Sequence, residues 1–229
     1  MCRQNYFRSR WAWILASAAW WLFAAMPRVP AAIIWNGPLI TFTQPTPDPT
    51  QASNQDRITP DVWLTRAASK GLFNAFAETN ASALSPLNTE WAFGALTNFA
   101  SLAYTNWLTW LNGQSPVVLI GQPVVVHLIA DDIYLSLTFT NWAAGGKGGF
   151  AYQRTTPAPN LSGTRINGGQ FSFNYTTKAG LTYVVQSSAN LANWTSLATN
   201  TATGDAGIFA EPFSAIASRY YRVGWLPNP

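Results

Sequence analysis

Between residues 133 and 140 apolar and polar positions alternate without a break. Ile133, Leu135, Leu137 and Phe139 fall on one side, and Tyr134, Ser136, Thr138 and Thr140 on the other. A period of two marks a strand with one face on a core. Residues 124–129 form an apolar run around His127, and residues 117–120 form another that ends at Gly121-Gln122-Pro123. Both predict strands. Phe150-Ala151-Tyr152 predicts a returning strand after the glycines of 145–149, which predict a flexible hairpin tip. Residues 33–42 and 62–66 predict earlier strands, 44–54 is a proline-rich loop, and 69–83 suits either a turn or a short helix. Tyr104, Trp107 and Trp110 recur every three residues, which favours a helical turn.

The alternation resumes with Phe171, Phe173 and Tyr175. Lys178-Ala179-Gly180 predicts a hairpin turn, with 181–187 pairing back. A polar corner at 190–193 leads to Trp194, expected as the core anchor of a small domain whose loss costs about 3–5 kcal/mol. Residues 195–199, 208–213 and 219–225 supply three more strands. Between the two patterned stretches, 155–169 is rich in Pro, Gly, Ser and Thr and predicts an exposed linker. The fold class expected is therefore all-β, with two antiparallel β-sandwich-like modules in tandem. One module covers 32–157, a linker 158–169, and a smaller module 170–229.

The first thirty-one residues break this pattern. Arg3, Arg8 and Arg10 precede an uncharged apolar run at 11–26, and Val29-Pro30-Ala31-Ala32 follows. The order basic, apolar, small is that of a secretory signal peptide, with cleavage expected after Ala31. The run is shorter than the roughly 20 residues of a membrane span. An uncleaved anchor is the alternative, because Trp11, Trp13, Trp20 and Trp21 suit a membrane interface. The chain carries 13 basic and 9 acidic residues. Four of the basic ones (Arg3, Arg8, Arg10 and Arg28) lie in the leader, so the remainder is balanced. With no basic cluster left, nucleic-acid binding is not expected. Cys2, the single cysteine, lies in the leader as well. The protein is thus expected outside the cytoplasm, secreted, periplasmic or at the cell surface, without disulfides and without membrane attachment after cleavage.

Two stretches resemble known families. Tyr183-Val184-Val185-Gln186, followed by Ser188-Ala189-Asn190-Leu191-Ala192-Asn193-Trp194 and the closing Arg219-Tyr220-Tyr221-Arg222-Val223, is similar to a module at the C-terminal ends of secreted verrucomicrobial proteins. Asn190 stands where that family usually has Asp. The resemblance covers about residues 169–226 and implies an immunoglobulin-like accessory sandwich. The segments Trp35-Asn36-Gly37-Pro38, Asp56-Arg57-Ile58-Thr59, Thr89-Glu90-Trp91-Ala92, His127 to Leu135 and Phe150 to Pro157 resemble a recurrent domain of exported bacterial proteins. Neither resemblance implies a catalytic activity.

Chemistry-bearing patterns are few. His127 is the single histidine, which excludes two-histidine zinc sites. No G-x-S-x-G elbow occurs. Asp131 and Asp132 are adjacent, which suits a polar bend, with calcium as the functional alternative. Glu90 with Glu78 or with Asp132 is a candidate carboxylate pair of glycosidase type. Trp107, Trp110 and Trp142 are the candidate ligand-binding residues, as a sugar-stacking platform, with core packing as the alternative. No cofactor is expected. The function expected is a non-catalytic binding or structural protein whose partners are extracellular polysaccharide or other surface proteins. The alternative is a carbohydrate-binding protein or weak glycoside hydrolase.

Overall fold

The computed structural model describes residues 31–69, 71–213 and 218–226. The leader expectation for 1–31 falls outside these residues except at Ala31. The described chain is all-β, with one short α-helix and three 3-10 turns between fifteen strands.

The first strands are β1 (Ile33–Trp35), β2 (Leu39–Gln44), β3 (Asp56–Thr59), β4 (Val62–Arg66) and β5 (Leu72–Asn74). They are followed by β6 (Thr89–Phe93), helix α1 (Trp107–Leu111), β7 (Val124–Leu128), β8 (Ile133–Trp142) and β9 (Phe150–Thr155). A six-stranded sheet runs β2-β9-β8-β7-β6, and β1 pairs in parallel with β8. β7 takes one edge of β8. β9 and β1 share the other, β9 along 137–142 and β1 along 133–135. The chain passes from β1 to the far side of β9 through Gly37, whose amide donates to the Thr156 carbonyl at 2.8 Å. A Cβ on Gly37 would overlap the Pro157 carbonyl, so only glycine fits this crossing.

β3, β4 and β5 form a second, antiparallel sheet. Its Ile58, Val62, Leu64 and Leu72 close one core with Trp91, Val126, Leu135, Phe139 and Tyr152 of the larger sheet. The alternation of 133–139 is observed as expected, but β8 carries a bulge between Phe139 and Asn141. The extra residue shifts the phase and turns Trp142 to the core side. Side-chain amides tie the irregular connections. Asn74 receives the Trp63 amide at 2.8 Å and donates to the carbonyls of Asp61 and Leu87. Gln44 spans β2 and β4, donating to the Arg66 carbonyl at 2.6 Å and accepting its amide at 3.0 Å.

The remaining strands are β10 (Leu161–Asn167), β11 (Gln170–Thr176), β12 (Thr182–Ser188), β13 (Thr195–Thr201), β14 (Ala206–Pro212) and β15 (Tyr220–Trp225). They make two three-stranded antiparallel sheets, β10-β11-β14 and β13-β12-β15. Phe173, Tyr175 and Phe209 of one meet Tyr183 and Val185 of the other in a β-sandwich core. Ile40 of β2 packs against this second cluster, and the residues from Ala32 onward form one compact unit.

Several expectations are corrected. Residues 161–167 are a strand paired with β11, not linker; all seven are exposed, so no buried face signals them. Residues 178–180 do not close a hairpin: β11 pairs with β10 and β14, and β12 with β13 and β15, so the turn carries the chain between sheets. Pro116–Leu119 is a 3-10 turn, capped by the Ser115 side chain and opened by Pro116. Residues 72–74 are a strand. Gly145 to Lys147 are exposed as an open tip, but Gly148 and Gly149 are buried, with Gly148 against Pro47, so that end of the loop is packed. Trp194 lies outside the second core. Its ring sits under the Arg222 guanidinium at 4.2 Å, and its indole N–H donates to the Leu191 carbonyl at 3.1 Å.

Candidate functional site

The expected tryptophan platform is a core cluster. Trp107 is 1% exposed and Trp142 7%. α1 begins at Asn106, whose side chain accepts the Thr109 amide at 3.0 Å, the pattern of a helix N-cap. That start aims Trp107 inward against Trp91 (4.9 Å between ring centroids), Phe139 (5.8 Å) and Trp142 (5.9 Å). Trp110 is half-buried and stacks on Phe93 at 4.4 Å. The three tryptophans do come together, but with one another and the core. The other face of Trp142 is covered by Arg66, whose guanidinium lies 4.0 Å from the ring and donates to the carbonyls of Ala143 and Gly149. Burial lowers the Arg66 pKa.

His127 lies on the opposite face of the large sheet, where strand register lines up Glu90, His127 and Tyr134. Its ring is stacked on Tyr134 at 4.2 Å and 4°. One imidazole nitrogen, Nε2, is 3.2 Å from Asp132, and the other, Nδ1, is 3.6 Å from Glu90. Asp132 reaches it from a left-handed turn residue (φ 49°) between β7 and β8. Because the two carboxylates occupy opposite nitrogens, they cannot converge with the ring on one ion. Among the described residues no three His, Cys, Asp or Glu side chains group to hold a metal, so Asp131 and Asp132 gain no third such side chain. Glu78 is also committed. It accepts the amides of Asn74 (2.9 Å) and Leu87 (2.8 Å) and the Ser85 hydroxyl, stapling the loop after β5.

A buried triad closes the other end of the large sheet. Arg154 donates to both oxygens of Asp56, Nε at 2.6 Å and Nη2 at 2.9 Å, and the Tyr152 hydroxyl donates to Asp56 at 2.6 Å. Burial, reinforced by the Asp56 charge, pushes the Tyr152 phenol well above the ordinary tyrosine range. Burial alone would lower Arg154, but pairing with Asp56 raises it. A bidentate, hydrogen-bonded pair is the geometry in which a buried charge is tolerated.

Arg154 also lines a cleft of about 420 Å³. Trp35, Arg57, Asn160, Lys178, Tyr183 and Asp205 line it as well. Hydrogen bonds set its walls. The Asn160 amide donates to the Thr176 hydroxyl at 2.9 Å, and Thr176 returns its own amide to the Asn160 carbonyl at 3.0 Å. The Thr177 amide donates to the Asp205 carbonyl at 3.0 Å, and the Tyr183 hydroxyl accepts the Lys178 amide at 2.8 Å. Burial, with Tyr175 and Asp205 nearby, pushes the Tyr183 phenol up against the opposing pull of that amide. Sequence reasoning missed this cleft. Its residues run from 35 to 205 with no local spacing, and only the β-pairing brings them to one place. Compared with known proteins, the chain matches no family model, no curated protein and no solved structure.

Proposed function

We propose that this chain is an exported, non-catalytic protein that acts by binding or spacing outside the cytoplasm. The observation that carries the reading is the occupation of His127. The one imidazole of the chain has a carboxylate beside each nitrogen and a tyrosine on its face. A general base needs one ring nitrogen directed at the hydroxyl or water it deprotonates. Here Nε2 is hydrogen-bonded to Asp132 and Nδ1 faces the Glu90 carboxylate at 3.6 Å, so each ring nitrogen has a carboxylate for its neighbour. The leader-like order of the first thirty-one residues supports export. The resemblance of 169–226 to modules of secreted verrucomicrobial proteins supports an immunoglobulin-like accessory role for the β10–β15 sandwich. The binding partner on this reading is extracellular polysaccharide or a surface protein, and no cofactor takes part.

The reading is tested by expressing the full chain with a C-terminal tag in a Gram-negative host. The expected product is found in the periplasm or medium and begins at or near Ala32. Full-length chain retained in the cytoplasm overturns export. A hydrolase screen on the purified protein, with the His127→Ala, Asp132→Asn double variant as control, tests the rest. Turnover that vanishes in the control overturns the non-catalytic reading.

A further inference from the structure

The cleft has a charge pattern of its own. Arg154, which lines it, is neutralised by Asp56. Arg57 and Lys178 are not: among the described residues neither enters an ion pair. Arg57 is held by stacking over Trp63 at 4.1 Å and by two donations to Gln55, contacts that place the guanidinium without cancelling its charge. Asp205 is the one acid lining the cleft. Two free cations against one acid leave room for a single negative charge, fewer than a phosphate chain carries. The Asn160 side-chain amide has no hydrogen-bond partner among the described residues, while its backbone is fixed at both ends of the pair with Thr176. An unspent amide and an aspartate lining one cleft can together donate to and accept from a hydroxyl-bearing ligand. Trp35 is half-buried beside them and supplies an apolar surface, as does Ile58. The volume, about 420 Å³, is that of a small-molecule site.

We propose that this cleft binds an acidic sugar, with the ring against Trp35, the carboxylate held by Arg57 and Lys178, and hydroxyls on Asn160 and Asp205. The inference rests on the binding reading above and gives that binding a place and a ligand class. Walls already set by hydrogen bonds lower the ordering cost of association. The cations are exposed, so they supply selection for charge more than depth of binding.

The test is calorimetry on the purified chain with a matched pair of probes, cellobiouronic acid and neutral cellobiose. The acidic disaccharide is expected to bind at least about tenfold more tightly, and more weakly as salt rises. Lys178→Ala and Arg57→Ala are each expected to lower its affinity about tenfold, the loss of one charge-assisted contact. Both side chains are exposed, and an unchanged thermal transition checks that the variants are folded. Arg222→Ala, at Gln186 and Trp194 rather than the cleft, is expected to leave the affinity unaltered. Equal affinity for the two probes, no saturable binding of either, or full affinity in both variants overturns the site. The underlying reading fails separately, through cytoplasmic retention or turnover. Exported, inactive protein that ignores cellobiouronic acid overturns the site and leaves that reading standing.

Discussion

Around the first hydrophobic cluster the chain buries Asp56, Arg66 and Arg154 together with the amides of Gln44, Asn54 and Asn74; around the second, the buried polar residues among those described are Ser187 and Ser188. The strands explain the contrast. In the β10–β15 sandwich the neighbours are all antiparallel and the ladders satisfy most backbone groups. In the first region β1 joins β8 in parallel, β2 crosses beyond β9, and long loops separate short strands. Backbone groups left over by such connections must find side-chain partners, because an unpaired buried donor or acceptor costs about 1–3 kcal/mol. One region is specified by regular alternation, the other by polar wiring inside an aromatic core.

The sharpest way to break this contrast is to cut the wiring. Asp56→Ala leaves the Arg154 guanidinium buried without its partner and is expected to cost about 3–5 kcal/mol in denaturant unfolding. A loss below 1 kcal/mol would show that water reaches Arg154 and that the triad is not sealed. The same triad sets an alkaline limit. An unfolded tyrosine ionises near pH 10, whereas Tyr152 resists ionisation to well above that value. The contribution of Tyr152 to stability is therefore complete below about pH 10 and is lost as pH rises further, because unfolding releases the phenolic proton. Tyr221 behaves alike in the second region, held up to about 12 by burial and by its hydrogen bond to Glu211. Tyrosinate absorbance during an alkaline titration should rise together with unfolding; ionisation of every tyrosine in a still-folded protein contradicts the burial of Tyr152.

A smaller effect is expected at the crossing between β1 and β2. Gly37→Ala sets a methyl group on the Pro157 carbonyl and should cost about 1–3 kcal/mol, read as a lower thermal midpoint. Wild-type stability in that variant would mean that the β1–β2 crossing has room to move. Smallest of the set is Trp194→Ala. With the ring under Arg222 rather than in the core, the expected loss is about 0.5–1.5 kcal/mol, from one exposed cation–π contact and one hydrogen bond. A loss of several kcal/mol would restore Trp194 to the role that its sequence neighbourhood suggests.

Periodicity revealed strands wherever one face is buried and the other wet, as along β8, β11 and β12. It was silent for β10, exposed along its whole length, and for β5, whose three residues are all buried. It also names strands without naming partners, which is why residues 178–180 resemble a hairpin while joining two sheets. Trp142 shows the limit most clearly: continuing the alternation of 133–139 puts it outside, and one bulged residue puts it inside. The apolar run 117–120 predicts a strand, yet the Ser115 cap and Pro116 open a 3-10 turn there. The cleft had no local signature, because its residues meet only when β1, β3, β11 and β12 have taken their places.

The parallel β1–β8 pair has a consequence for how the chain reaches this state. Ile33 lies opposite Ile133, and Leu39 of β2 lies opposite Thr155. A chain synthesised from its N-terminus holds residues 33–44 without partners until residues 133–155 have emerged. Closing loops of that length is entropically uphill before any contact rewards it, so this pairing forms slowly. During the wait a segment containing Ile33, Ile34, Leu39, Ile40 and Phe42 exposes open strand edges to its neighbours. The earliest strands made are the latest sheltered, and the hazard written into the topology is aggregation during synthesis rather than weakness of the finished fold.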